Sequence, residues 1–365
     1  MKSKRVFIAA TRQNDGKTMV SMGLFHAFQK RFGSVGYMKP VGQQYKIING
    51  KKIDKDAVLF HQVYGLHDSM EWMSPIAVPK GFTEDYILNP DRDRLVAKLQ
   101  HAYTHIEEQN EFVLIEGTGH AGVGSVFDMS NADVAKLLHS KVIIVSLGGI
   151  GKAIDEILLN KASFDQRGVE VLGVIINKVQ PDKYDRVTEI TRKGLERHGL
   201  RVLGCIPYEP FLTRPTMADL CEELSATVMS GEEGFGQHVG NFVIGDILPH
   251  EALDKFIGDT LLICPANREG LVMTALCGNL VEDKPASQEV SAIVFTGGIQ
   301  PHPKIMKLLQ SAKMPVMMVS EDSFSVATRI NRMLNKLHAD ETEKIEKIQK
   351  LIESYIDVDA LCQEL

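Results

Sequence analysis

Nothing in this chain constrains the fold as tightly as residues 10–18, Ala10-Thr11-Arg12-Gln13-Asn14-Asp15-Gly16-Lys17-Thr18. An apolar run, Val6-Phe7-Ile8-Ala9, precedes them, and Met19, Met22, Leu24, Phe25 and Phe28 follow at the spacing of an amphipathic helix. A strand that turns sharply into a helix aims several backbone N–H groups at one point, where the helix dipole favours an anion. Gly16 lets the backbone approach a phosphate, Lys17 brings a point charge to the outer phosphates, and the Thr18 hydroxyl suits Mg²⁺. Thr11, Arg12, Asn14, Asp15 and Met19 complete the segment expected to line a nucleotide. The common spacing for such a loop asks for glycine five residues before Gly16, and Thr11 stands there. The alternative is a Gly-Lys-Thr that merely begins a helix.

Further along, strand ends carry the polar residues. Val35 to Met38 reads as a strand ending at Lys39-Pro40-Val41. Residues just past a strand's carboxyl end line the ligand crevice of an open parallel sheet, which places Lys39 beside Lys17 as a second catalytic cation. Tyr45 to Lys55 reads as a polar loop with an Asn49-Gly50 turn. Asp56 opens the next helix, either as its cap or as a magnesium ligand. A helix over Arg94–Glu108 precedes the buried strand Phe112-Val113-Leu114-Ile115, which ends at Glu116. Thr18, Asp56 and Glu116 together would offer oxygen ligands to one hard cation. The run Val142–Leu147 leads into Gly148-Gly149-Ile150-Gly151, which with Gly117 forms the expected substrate loop; a plain close-packed turn is the other reading. Strand Val171–Ile176 ends in Asn177-Lys178-Val179-Gln180. Gln180 stands where a guanine-reading loop needs a carboxylate, so Asn177 is assigned to adenine and ATP is favoured over GTP.

At 365 residues the chain exceeds one ordinary core. The pattern predicts an ATPase domain over 1–210, a second domain over 216–335 and a helical tail over 336–365. A formal charge of −6 argues against nucleic acid or an anionic membrane as the main partner. The start, Met1-Lys2-Ser3-Lys4-Arg5, leads into a strand rather than a signal peptide, and the five cysteines form no C-x-x-C pair. A cytoplasmic protein is the expectation. In the second half, short apolar runs alternate with helical patterns, as in another α/β unit. Met217–Leu224, Glu251–Ile257, Glu269–Leu276 and Ile305–Leu309 read as helices there. Ala327–Leu337 and Glu341–Tyr355 read as exposed helices lying on the second domain or across a dimer.

The assembled motifs of the first ~210 residues, a domain-sized stretch, resemble dethiobiotin synthetase and its P-loop ATPase relatives. Ala10 to Thr18 fits that family's longer phosphate loop. Lys39-Pro40-Val41, Asp56-Ala57, Glu116-Gly117, Leu147-Gly148 and Asn177 follow in the family's order. The resemblance implies a P-loop NTPase-type α/β fold: a mainly parallel sheet with helices on both faces, plus a second, smaller α/β domain. It also implies ATP and Mg²⁺ as cofactors, a small-molecule substrate and a homodimer. In that family ATP phosphorylates a carbamate built from an amine and CO₂. Lys17 and Lys39 would then neutralise phosphoryl charge while Thr18, Asp56 and Glu116 hold the metal. Three departures matter: Ala10 stands at the first loop glycine, Arg12 adds a charge that either acts across a dimer or lies on the surface, and the Lys-rich stretch Gln43–Lys55 replaces the loop that meets the diamine.

Arg268 and Thr296-Gly297-Gly298 resemble the DRTGG domain, which accompanies this ATPase in one group of phosphotransacetylases. Asn267 replaces the usual Asp. Arg268, Thr296 and Gly297 would bind a small regulatory ligand, or the glycines simply turn the chain. The acetyltransferase domain of those longer proteins is not expected here. The leading expectation is a Mg-ATP-dependent ligase with a regulatory second domain. A nucleotide-binding sensor with little turnover, and an amidoligase of the cobyrinic acid diamide synthase kind, are the alternatives.

Overall fold

The computed structural model describes residues 3–279, 290–333 and 337–365, and these form two compact units. The first takes in 1–209 together with 337–365, and the second 210–336. The start at Met1-Lys2 and part of the helix expected over Ala327–Leu337 lie outside the described residues.

In the first unit, six apolar runs become β1 (Lys4–Ala10), β2 (Val35–Met38), β3 (Phe112–Glu116), β4 (Lys141–Leu147), β5 (Val171–Val179) and β6 (Val202–Pro207). They pair in the order β6-β5-β4-β1-β3-β2, every pair parallel. Strands buried on both faces need unbroken apolar sequence, and Val6 to Ala10 and Phe112 to Ile115 are fully buried. The strand order reverses direction at β1, the arrangement that opens a crevice at the carboxyl ends. The crossovers carry α1 (Lys17–Gln29), α2 (Lys55–Tyr64), α3 (Arg92–Gln109), α4 (Gly151–Gln166) and α5 (Tyr184–Glu196), with a short helix, Asn131–Leu137, between β3 and β4. The region expected as a polar loop is a β-hairpin instead, Tyr45–Ile48 against Lys51–Asp54. Asn49 and Gly50 sit at φ 49° and 76°, the left-handed pair that a two-residue turn requires.

The second unit is built on β7 (Thr227–Ser230), β8 (Asn241–Ile244), β9 (Thr260–Pro265), β10 (Val290–Thr296) and β11 (Val316–Met318), in the order β7-β11-β10-β9-β8. All pairs are parallel except β7 with β11. The longer helices described in this unit are α6 (Met217–Leu224), α7 (Glu269–Asn279), α8 (Pro303–Ser311) and α9 (Ser323–Arg332). The sheet separates two apolar clusters, one around Phe256, Leu271 and Leu309 and one around Met217, Leu220 and Ile330. The helix expected over Glu251–Ile257 is a single turn, Pro249–Ala252.

The last segment differs from expectation. Helices α10 (Thr342–Tyr355) and α11 (Val358–Glu364) lie on the first unit, where α10 packs along α1 and reaches β6. Ile348 and Ile352 are buried against α1, where a Cβ on Gly23 would sit 2.1 Å from Ile352 Cγ1. Charge pairs surround this contact: Lys30 with Glu353 of α10, Arg31 with Asp359 of α11 at 2.6 Å, and Lys347 of α10 with Glu209 just after β6 at 2.9 Å. The physical reason is coverage. With α4 and α5 packed on β4, β5 and β6, the outer side of α1 still needs an apolar partner, and the Ile345-Ile348-Ile352 stripe supplies it.

Candidate active site

Phosphate-loop geometry follows from Gly16. Its φ of 91° is left-handed, and a Cβ there would lie 2.2 Å from Asn177 Nδ2, so only glycine fits. Asn177 Nδ2 donates to Asp15 O at 2.8 Å, and Lys178 Nζ donates to Asn14 O at 3.1 Å. Asn177 thus holds the loop from beneath. On the other side, Asp15 Oδ2 accepts from Thr11 Oγ1 at 2.6 Å and from Arg12 N at 2.8 Å. Burial raises the Asp15 carboxyl pKa, and these donors oppose the rise. Arg12 pairs with Glu156 of α4 in the same chain, Nε to Oε2 at 2.5 Å, and its side chain is half-exposed. Met19 lies half-buried in the first turn of α1, whose N-terminus no side chain caps. Uncapped amides at a left-handed glycine are what an anion would complete.

Register brings the charged residues together. Met38 of β2 pairs with Ile115 of β3, so the next residues, Lys39 and Glu116, emerge side by side. Lys39 Nζ donates to Glu116 Oε1 at 2.8 Å and to Asp56 Oδ2 at 2.7 Å. Thr18 Oγ1 donates to the same Glu116 Oε1 at 2.9 Å. Asp56 does not cap its helix. The cap of α2 is Asp54, whose Oδ1 accepts from Asp56 N at 2.9 Å, which leaves the Asp56 carboxylate for Lys39. Burial pushes the Asp54 carboxyl up against the pull of Lys39.

The two lysines titrate in opposite directions. Burial lowers the Lys17 ammonium to about 8, and Lys39 adds to the lowering; Glu116, Asp56 and Asp15 oppose it from a distance. Burial also works against Lys39, but Asp56, Glu116 and Asp54 outweigh it and hold that ammonium above the ordinary lysine value. Lys17 is therefore the cation short of a counter-charge.

Residues after β3 and β4 are built for close packing. Gly117 N donates to Ile8 O at 2.9 Å, and Gly148 N donates to Asn177 O at 2.7 Å, so both amides are committed inside the fold. Gly149 O accepts from Thr191, while Ile150 and Gly151 begin α4. Two buried asparagines that the sequence did not flag organise this region. Asn131 brackets Thr118 and His120. Asn160 accepts from Ala121 N at 2.8 Å and donates to Thr11 O at 3.3 Å, tying the loop after β3 to the phosphate loop. Asn160 falls on the buried stripe Ala153-Ile157-Asn160-Phe164, and a polar residue on an apolar stripe is the signal that could have found it.

The donor set suits a hard divalent ion held jointly with phosphates. Thr18, Asp56 and Glu116 offer only oxygen, and Mg²⁺ usually takes one or two carboxylates and completes its shell with phosphate and water. Among the described residues no cluster of three or more His, Cys, Asp or Glu forms a self-sufficient metal site. In the second unit, Arg268 Nη2 donates to Ile247 O at 2.8 Å and Thr296 Oγ1 lies 2.8 Å from Ser323 Oγ. Gly297 and Gly298, both left-handed, donate to Glu321 O and Val319 O, so they pin the loop after β10 to the loop after β11. No helix among the described residues is long and apolar enough to cross a membrane.

The family model AAA_26, described as an AAA domain, matches residues 4–216, more than half of the chain. The chain belongs to the AAA_26 family. A DRTGG domain model matches residues 219–333. This AAA_26 chain is 26% identical to a phosphate acetyltransferase of Synechocystis sp., covering 99% of the chain and 51% of that protein. It is 22% identical to the phosphate acetyltransferase of Escherichia coli, covering 98% of the chain and 52% of that protein. The chain thus spans about half the length of these curated relatives. Among solved structures, the MinC:MinD cell division complex of Aquifex aeolicus aligns at 14% identity and a TM-score of 0.38. That alignment covers 57% of the AAA_26 chain and 84% of the other. At that score the likeness adds nothing to the strand order described above.

Proposed function

We propose that this chain is a Mg-ATP-dependent enzyme that activates a carboxylate or carbamate by phosphoryl transfer, with the second unit as its regulatory part. The observation that carries this reading is that Thr18 and Lys39 both donate to Glu116 while Lys39 also grips Asp56, beside the buried Lys17. Lys17 would hold the outer phosphates and lose its desolvation penalty on doing so. Lys39, already gripped by two carboxylates, would stay charged across the physiological range and neutralise negative charge as it develops on the transferring group. A bound Mg²⁺, held by Thr18, Asp56 and Glu116, would supply Lewis-acid neutralisation of the phosphate oxygens.

Calorimetry with Mg-ATP tests the binding step. The full chain should bind, and Lys17→Ala should not, with its melting temperature kept because a buried, unpaired ammonium contributes little to stability. Unchanged affinity in Lys17→Ala would refute the role. ADP release measured with and without diaminopelargonic acid plus bicarbonate then tests the acceptor. Absence of stimulation removes that substrate and leaves the nucleotide site standing.

A second reading, a nucleotide sensor with little turnover, is favoured by the near-complete match to half of proteins named phosphate acetyltransferase. Acetyl transfer to phosphate needs no ATP, so a nucleotide module in such a protein suits regulation. Tight Mg-ATP binding with no ADP release under any acceptor would select this reading.

A further inference from the structure

Glu116 is completely buried at the end of β3, and a buried carboxylate holds one orientation only as far as its donors fix it. Three donors meet it. Thr18 and Lys39 both reach Oε1, while the Tyr37 hydroxyl donates to Oε2 at 3.2 Å. In the Mg-ATP reading the first two have other work, Thr18 at the metal and Lys39 at the phosphates. Tyr37 alone keeps its bond to Glu116 throughout. Its ring lies fully buried in β2, stacked on Phe60 with centroids 3.7 Å apart and an interplanar angle of 13°. Phe60 belongs to α2, the helix that carries Asp56. One aromatic pair therefore ties the residue that bonds Glu116 to the helix that carries Asp56.

We propose that Tyr37 is a positioning residue, which turns the Glu116 carboxylate so that Oε1 faces the cation shared with Thr18 and Asp56. The inference rests on the Mg-ATP reading and adds a residue which neither the motifs nor the family match assigns. Partners that orient a metal ligand typically change metal affinity about 10–100-fold when removed.

Tyr37→Phe in the full chain is the direct test, because it keeps the ring and its stack and deletes only the hydroxyl. Calorimetry is run with Mg-ATP and, separately, with ATP in EDTA. The expected result is a loss of about tenfold or more in Mg-ATP affinity, with metal-free ATP binding and melting temperature unchanged. An unchanged Mg-ATP affinity overturns the proposal, and so does an equal loss in both titrations, which marks a general loosening. Should Tyr37→Phe fail to fold, Phe60→Leu is put through the same two titrations: it removes the stack that fixes the Tyr37 ring, a selective loss of Mg-ATP affinity supports the proposal, and unchanged affinity overturns it. A wild-type chain that binds no Mg-ATP overturns the proposal together with the function it rests on. A wild type with a clear magnesium preference that Tyr37→Phe retains overturns the role of Tyr37 alone.

Discussion

Lys17 and Lys39 lie in one corner of the sheet yet differ in what they lack. Among the described residues the Lys17 ammonium has no ion-pair partner, and its pKa near 8 places titration within easy reach. A phosphate would raise that value, so binding takes up a proton. ATP affinity should be flat below pH 8 and fall by up to about tenfold per pH unit above it, as measured by calorimetry from pH 7 to 9. Lys39 has partners without solvent. Lys39→Met would strand Glu116 in the interior and should cost about 3–5 kcal/mol in urea unfolding. Much at this scale was legible beforehand: Lys39 and Glu116 each follow an apolar run, and parallel register sets them side by side. Tyr37 was not legible, because a tyrosine within an apolar strand reads as core until the atom facing its hydroxyl is known. Asp56 was left open between cap and metal ligand for a related reason, with Asp54 standing two residues before it. Both stand at a helix start, and only the direction of each carboxylate separates cap from ligand.

Helix α1 shows what one element can hide. Its inner face was visible at Met22, Leu24, Phe25 and Phe28, but Val20, Gly23 and Ala27 are buried as well. A helix with no polar face needs a partner on both sides, and that pattern was on the page without naming the partner. Sequence distance concealed it, since Ile352 lies more than 300 residues after Gly23. Ile352→Ala should lower unfolding stability by about 2–5 kcal/mol, read from a urea midpoint shift at constant slope. Gly23→Val should do worse, because its Cβ would lie 2.8 Å from Ile352 Cβ, an atom that no side-chain rotation moves, and 3.2 Å from Ile348 O. The hairpin over Tyr45–Asp54 went unread for the opposite reason. Its lysines mask a strand pattern, and only the Asn49-Gly50 turn announced it.

For the whole molecule, the alternation of strands and helices foretold two α/β units, while contact alone assigns residues 337–365 to the first of them. A fragment of residues 1–209 should therefore melt lower than the full chain and aggregate more readily. A synthetic peptide of residues 337–365, added in excess, should restore the melting temperature, since anything that binds only the folded form stabilises it. No change on adding the peptide would mean that α10 and α11 merely rest on the surface. The insertion of one unit inside the other also sets a timetable. During synthesis the phosphate loop leaves the ribosome about 300 residues ahead of the helix that shelters its neighbour. Until that late arrival, a nascent chain holds its nucleotide pocket over an unroofed apolar flank, a window in which a chaperone would find it.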